Sequence, residues 1–459
     1  MGVTVILDKG INEMKRRCYH IDNHIIAEYE RKFKHDIVAN IHAFSDLCPS
    51  ARPFIHLAAT SNFINDNLDL IRIKSSLEYF HHRISLLFTS LGVRATDKEI
   101  IDLPTIAYTH FQRAQLITMG KRFTSWNQDI YTDLLDLRSI LDHRLGFRGV
   151  KGAVGSEDAL LQLFHGDHDK CDQLNQRLAT IYGFDTLFTI TTQTYSRKID
   201  VSIFQWMSNL CQSIYKMMND IRLLASHGEI TEYFDQEHQV GSSAMPYKRN
   251  PMTCERICSL CRYVINQENT IKQTYMNQWL ERTLDDSAIK RILYPDCFML
   301  LEYIVEQSIY IVSSFVIHKD TIHKHVVEHF PNILCEEIIR QGVEFGHDRQ
   351  KIHQCLRKLM GQGSETSTPS IFSFFVNSMM ISSPKNTWKT KEEESVDDST
   401  SSSGNGNSEI EIESWWEDDD DSETKFIIKL IKEKKISIDP KDYIGRCKEQ
   451  VTLFAKSCV

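Results

Sequence analysis

The sequence holds 459 residues, 41% of them hydrophobic and 25% charged, with 62 acidic side chains against 53 basic and a formal net charge of −9. That balance is ordinary for a soluble globular chain, and the length allows several domains or one extended bundle. It argues against a nucleic-acid partner, which needs a concentrated basic face, and no stretch reaches the roughly eighteen uninterrupted apolar residues of a membrane helix.

From the start of the chain, residues 1–10 carry Asp8 and Lys9 beside a very short apolar run, which is not a secretory signal, so a cytoplasmic address is expected. Long stretches without helix breakers follow, with apolar residues three and four apart. The spacing predicts helices over about 66–91, 114–145, 197–225, 252–279 and 296–317. In the second of these, Leu116, Met119, Phe123, Trp126 and Ile130 recur on one side. Period-two alternation bounded by turn residues is scarce, so the fold class is all-α, a central bundle of long helices. Rods of this length need partners along their whole apolar stripes, which identical helices of other subunits supply most simply.

Residues 395–407 are Ser, Asp, Thr, Gly and Asn apart from Val396, and 417–421 form an unbroken acidic run. A segment from about 382 to 424 therefore reads as a disordered acidic insertion that cannot bury enough apolar surface to offset its chain entropy. Trp415 and Trp416 interrupt it as a docking motif or as part of a solvated linker. Helical periodicity returns over 425–459 around a turn at Asp439 and Pro440, and that piece is expected to pack back onto the body. The chain thus divides into an N-terminal helical domain (1–60), a central bundle (61–317) and a C-terminal helical domain (318–459) that contains the insertion.

Twelve cysteines at irregular positions read as reduced thiols. Cys254, Cys258 and Cys261 lack a second ligand pair and fall along one helix face, so no metal site is expected.

The most informative stretch is 241–251, Gly-Ser-Ser-Ala-Met-Pro-Tyr-Lys-Arg-Asn-Pro, within a loop spanning 238–252. Its glycine and serines let the backbone move, Pro246 and Pro251 keep helix out, and Lys248 with Arg249 suit an anion or an anionic intermediate. As a bare pattern it is equally a polar surface loop. Tyr108, Thr109, His110, Phe111 and Gln112 place an imidazole where a helix is expected to begin, a position that favours its neutral form. Thr60 and Ser61 precede another helix, as N-cap or as a source of free amides for an anion. Residues 193–197 and 281–291 add amide, hydroxyl and guanidinium groups.

The loop resembles the signature of the fumarase and aspartase superfamily, and its Ser-Ala-Met-Pro-Tyr-Lys-Arg-Asn-Pro form is similar to the adenylosuccinate lyase family within it. The resemblance runs in the family's order through Lys34, His35 and Asp36, then Thr60 and Ser61, then 109–112, 193–198 and 281–287. It implies the superfamily fold, a tetramer whose core takes helices from four subunits and whose active sites are shared. It implies elimination of fumarate from adenylosuccinate, giving AMP, and from succinylaminoimidazole carboxamide ribotide (SAICAR), giving AICAR, with no cofactor and no metal.

Carried over residue by residue, the resemblance makes Ser242 the general base and His110 the acid, with Lys248 stabilising the anion, His35 assisting and Glu255 orienting a histidine. It assigns substrate contacts to Lys34, Asp36, Thr60, Ser61, Thr109, Gln193, Asn250, Arg256, Arg282, Ser287 and Arg291. Arginine suits this because its planar fork binds carboxylate or phosphate with two hydrogen bonds. Relative to the family, the N-terminal domain reads as shortened, without the usual Arg-Tyr pair for the substrate phosphate, and Lys34 stands where the family has arginine. Two other readings fit the same residues: a shortened scaffold subunit without turnover, and another superfamily lyase such as argininosuccinate lyase, against which Tyr247 and the Lys248-Arg249 pair argue.

Overall fold

The computed structural model describes residues 8–360, 422–433 and 436–458. The acidic insertion, including Trp415 and Trp416, lies outside these residues apart from its last three positions, which already belong to a helix.

The described chain is helical, as its periodicity requires. Short helices α1 (Asp8–Arg17), α2 (Asn23–Phe33) and α3 (Asp36–Leu47) lead into α4 (Ser61–Thr96). The strands β1 (Pro104–Thr109) and β2 (Gln112–Thr118) come next, then α5 (Met119–Ser139), α6 (Asp158–Leu163), α7 (His168–Ile181) and α8 (Lys198–Ser226). Strand β3 (Ile230–Thr231) and the loop up to residue 251 precede α9 (Met252–Met276) and α10 (Asp285–Ser314). Strand β4 (Val316–Ile317), α11 (Lys319–Glu344), α12 (Arg349–Leu359), α13 (Ser422–Lys432) and α14 (Cys447–Ser457) complete the described order.

Two expectations are corrected here. The helix foreseen over 114–145 is in part a strand: β1 and β2 form an antiparallel hairpin, and α5 starts only at Met119. In β2 the side chains of Leu116 and Thr118 are buried and those between them less so, which is the period-two pattern of a half-buried strand. The Thr118 hydroxyl then caps α5 by accepting from the Lys121 amide at 3.1 Å. The helix foreseen over 296–317 begins instead at Asp285 and continues through Pro295. Two aspartates in its first turn complement the helix dipole, and one missing amide is tolerated in a long, packed rod.

The chain separates into two compact units. The first comprises Met1–Leu86, Ile130–Lys216 and Arg256–Ser308. Its core is aliphatic and aromatic: Leu70, Leu77 and Ile84 of α4, Phe204, Met207 and Leu210 of α8, Val264 of α9, and Leu301 and Ile304 of α10 are all buried. Each contributes about 1.5–3 kcal/mol through removal of apolar surface from water. Trp206 sits against Phe80 and satisfies its indole N–H on the Asp133 carbonyl at 3.0 Å.

The second unit comprises Leu87–Asp129, Met217–Glu255 and Ile309–Val459. Phe123 packs on Phe315, and the Arg94 guanidinium stacks over the same Phe315 ring while donating to its carbonyl at 2.6 Å. Buried Glu229 accepts from His325 at 2.9 Å and faces Arg122 at 3.8 Å. The C-terminal piece packs back as expected. Tyr443 meets Phe330 of α11 edge-on, Cys355 of α12 lies 2.8 Å from the Thr424 hydroxyl of α13, and the Asp439 carboxylate caps the turn at Pro440 through the Lys441 amide.

Candidate active site

The candidate residues fall in both units.

In the first unit, Lys34 closes α2 with a left-handed backbone (φ 55°), and His35 caps α3, its Nδ1 accepting from the Val38 amide at 3.5 Å. Lys34, His35 and Asp36 therefore occupy the tight corner between two helices. The Asp36 carboxylate accepts from the Arg291 guanidinium at 2.9 Å, and Arg291 also donates to the Ser287 hydroxyl at 2.9 Å. The corner of Lys34, His35 and Asp36 is thereby joined to the first two turns of α10. His56 sits close enough to His35 to be affected by its charge; burial and then that neighbour hold the His56 imidazole below its ordinary pKa.

Thr60 precedes α4, as expected of a cap position, and its hydroxyl accepts from the Gln193 amide at 3.4 Å, while the Gln193 backbone N–H donates to the Glu281 carbonyl. Ser61 is the first residue of α4. Arg256 donates to the Tyr303 hydroxyl at 2.9 Å. Arg282 donates from one nitrogen to both oxygens of Asp286, at 2.9 and 3.1 Å. Arg282, Ser287 and Arg291 all line one cavity of about 370 Å³ within this unit, together with Arg72, Lys290 and Asn62. Its size suits a small polar ligand. A larger cavity of about 630 Å³ among α2, α3, α6 and α7 is mostly apolar and holds none of the candidate residues, so volume alone is a poor guide to the chemistry.

Beneath the 370 Å³ cavity lies a buried ion network. Arg197, 4% exposed, donates to Asp66 at 2.9 Å and to Asp286 at 2.6 Å. Burial alone would push the Arg197 pKa down, but Asp66, Tyr195, Asp200 and Asp286 outweigh it and hold the guanidinium firmly charged. Lys290 donates to the Tyr195 hydroxyl at 2.8 Å, and Tyr195 donates to Asp200 at 2.7 Å.

In the second unit, Thr109 and His110 are placed differently from expectation. His110 is not at a helix start but at the tip of the β1–β2 hairpin, where Thr109 pairs with Gln112 across a two-residue turn. His110 and Phe111 both have positive φ, 52° and 58°, the signature of a type I′ turn. The alternation in the flanking strands runs straight into the helical pattern that follows, so the turn leaves no separate signal in the sequence. No helix begins at His110, and no helix dipole acts on it from that position.

Residues 238–251 have no regular helix or strand, and α9 starts at Met252, as the two prolines predict. The Ser242 Oγ accepts from the backbone amides of Ala244 at 3.4 Å and Met245 at 3.2 Å. Asn250 donates to the Gly241 carbonyl at 3.1 Å and so closes the base of the loop, while Arg249 lies over the Phe234 ring at 5.0 Å. Gly241 is required there, since a Cβ would stand 2.3 Å from the Lys248 carbonyl oxygen. Glu255 lies 3.8 Å from the Arg222 guanidinium. The first amides of α9 are taken by Glu232, which accepts from Thr253 at 3.2 Å and Cys254 at 2.7 Å.

Comparison with known proteins places this arrangement. Residues 5–266 match the family model described as lyase. The chain is 39% identical over 366 residues to the adenylosuccinate lyase of Saccharomyces cerevisiae, covering 79% of this chain and 75% of that one. The chain belongs to the adenylosuccinate lyase family. Over 355 residues it is also 39% identical to the member from Schistosoma mansoni, covering 77% of this chain and 73% of that one. Among solved structures, the 3-carboxy-cis,cis-muconate lactonizing enzyme of Pseudomonas putida superposes with a TM-score of 0.72 at 18% identity, over 99% of this chain and 90% of that one. A fumarate lyase from Mesorhizobium sp. BNC1 gives 0.69 at 16%, over 98% and 89%. At those identities the likeness establishes the helical lyase fold.

Within an adenylosuccinate lyase family member, Asp66 and Glu232 stand among the candidate residues without being singled out from the sequence, whereas Arg197 and Asp286 lie in the segments 193–198 and 281–287 that are. The pairing of Arg197 with Asp66 is invisible as a motif because the two lie 131 positions apart in the chain. Asp286 reads locally as one more acidic residue in a helix's first turn.

Proposed function

We propose that this chain is a cofactor-independent carbon–nitrogen lyase that eliminates fumarate from adenylosuccinate to give AMP, and from SAICAR to give AICAR. The observation that carries the reading is its 39% identity to adenylosuccinate lyases over most of its length. The site chemistry supplies a mechanism consistent with it.

Elimination needs a base for the proton on the carbon beside a carboxylate, an acid for the departing nitrogen, and cations for the anionic intermediate. Ser242 takes the proton. A serine hydroxyl is a weak base, but the amides of Ala244 and Met245 converge on its Oγ and favour the alkoxide, with Lys248 on the same loop adding positive charge. The electron pair of the broken C–H bond forms the carbon–carbon double bond of fumarate, the C–N bond breaks, and His110 gives its proton to the leaving nitrogen. His35 assists at the substrate, and Glu255 orients a histidine; the cation it faces is the Arg222 guanidinium, at 3.8 Å.

The nucleotide and carboxylates are held by Lys34, Asp36, Thr60, Ser61, Thr109, Gln193, Asn250, Arg256, Arg282, Ser287 and Arg291. Arg282, Ser287 and Arg291 share the wall of one cavity, which supports a common role on the anionic end. We further propose a homotetramer with shared sites, acting in the cytoplasm. Among the described residues no helix is long and apolar enough to cross a membrane, and none of the twelve cysteines is in a disulfide.

An ultraviolet assay of the purified protein tests the activity: adenylosuccinate is expected to disappear as fumarate forms, with argininosuccinate untouched. Turnover of argininosuccinate instead, or of neither, would sink the assignment. Mixing inactive Ser242→Ala and His110→Ala tetramers is expected to restore activity as subunits exchange; no recovery after proven exchange would show self-contained sites.

A further inference from the structure

We propose that Asp286 is a positioning residue for the reaction: it grips one edge of the Arg282 guanidinium so that the other edge is presented to substrate. The inference rests on the substrate-binding reading of Arg282.

Arg282 lies in the α9–α10 connection, where a long side chain on a loop would otherwise sample many rotamers. Both Asp286 oxygens accept from the same Arg282 nitrogen, Nη1, leaving Nη2 and Nε without a partner among the described residues. That free edge is the fork through which guanidinium binds an oxyanion with two hydrogen bonds. Asp286 is itself immobile. It is 1% exposed, and one of its oxygens also accepts from Arg197 Nε at 2.6 Å. Arg197 is fixed in turn by Asp66 of α4, whose second oxygen accepts from the Tyr195 amide at 2.9 Å. Burial pushes the Asp286 carboxyl up, but Arg197 and Arg282 outweigh it and hold it below the usual range, so it remains an ionised acceptor. The result is a relay of rigid contacts from α4 through Arg197 to Asp286, ending at a partly exposed guanidinium beside the cavity. The i, i+4 spacing of Arg282 and Asp286 alone would not fix the guanidinium so firmly; the Arg197 clamp from below does.

The test is a double-mutant cycle on the full-length enzyme with adenylosuccinate as substrate. Arg282→Ala is expected to raise KM by about tenfold or more, and Asp286→Asn to raise it about tenfold with kcat within about threefold of wild type. In the Arg282→Ala background, Asp286→Asn is expected to add less than about twofold, because the group it positions is gone. An unchanged KM in Asp286→Asn, or the same proportional rise in both backgrounds, would overturn the positioning role and leave only a structural one. A wild-type KM in Arg282→Ala would instead remove the substrate-binding reading on which the inference stands. Where Asp286→Asn does not assemble, Asp286→Glu carries the same cycle: its longer arm displaces the guanidinium while keeping the charge, so a rise in KM that depends on Arg282 supports the inference, and a rise independent of Arg282 overturns it.

Discussion

Asp36 and Arg291 stand 255 positions apart in the chain and meet through a 2.9 Å hydrogen bond from guanidinium to carboxylate. Both side chains are well exposed, 41% and 61%, so water screens the pair and its contribution to stability is small. What it fixes is geometry, the corner of Lys34 and His35 against Ser287 and Arg291. Arg291→Lys keeps the charge but loses the fork that joins Ser287 and Asp36 at once. Its KM for adenylosuccinate is expected to rise about fivefold with little change in kcat. Initial rates across substrate concentration check this, and a fall in kcat alone would place Arg291 elsewhere in the mechanism.

Ser242→Ala removes the proposed base and leaves the loop's other bonds, including that of Asn250 to Gly241, in place. Turnover is expected to drop by about a thousandfold or more with the oligomer intact. Gel filtration with the fumarate assay decides it. A variant retaining a tenth of wild-type kcat would exclude Ser242 as the base.

His110 occupies a turn position with positive φ, where asparagine or glycine is the preferred occupant. His110→Asn is therefore expected to abolish turnover while leaving the melting temperature equal or raised by about 1 °C. Loss of activity accompanied by a large loss of stability would mean that the imidazole serves the hairpin rather than the chemistry.

His329 on α11 has a defined tautomer. Its Nε2 faces the Ala114 carbonyl at 3.0 Å and must donate, and its Nδ1 accepts from Asn332 at 3.1 Å. Burial holds its pKa below the ordinary 6.5, the bond to Ala114 opposes this, and Arg113 reinforces it. With the folded value below the unfolded one, the unfolded chain binds the extra proton first on acidification. The contribution is full above 6.5 and is lost as pH falls through the folded value. Between about pH 7 and pH 5 the wild type should lose about 2 °C more in melting temperature than His329→Gln. Parallel curves would show that His329 does not titrate with folding.

Gly155 has φ +85°, and a Cβ there would lie 2.1 Å from the Thr191 carbonyl oxygen. The surrounding loop cannot yield easily, because buried Arg148 donates to the carbonyls of Gly149 and Gly152. Gly155→Ala is expected to cost about 3 kcal/mol by chemical denaturation, and to weaken substrate binding through the adjoining Gln193 segment. A wild-type midpoint would show that the loop can be re-routed.

The long helices were legible because each buries a stripe at helical period, and α8 and α9 begin within a residue of where the pattern places them. The loop before α9 was legible from its prolines. The hairpin was not. Leu116 fits an alternating strand and a helical stripe equally well, and the cross-strand pairing, Leu116 with Ile106 and Gln112 with Thr109, is what distinguishes them. The start of α10 was misplaced because Pro295 reads as a stop, whereas packing carries the helix through it. The buried ion network was hidden for another reason: Asp66, Arg197 and Asp286 act through contacts between distant segments, and a local pattern holds no record of such partners.

Pro295 lines the same cavity wall as Ser287 and Arg291, four residues after Arg291. Having no N–H, it returns no hydrogen bond to the Arg291 carbonyl, and its ring crowds that oxygen. The backbone bearing this guanidinium thus sits on a rung in the interior of α10 that the helix does not latch to the next turn. What holds the side chain in place is therefore its own pair of bonds, to Ser287 within the helix and to Asp36 outside it.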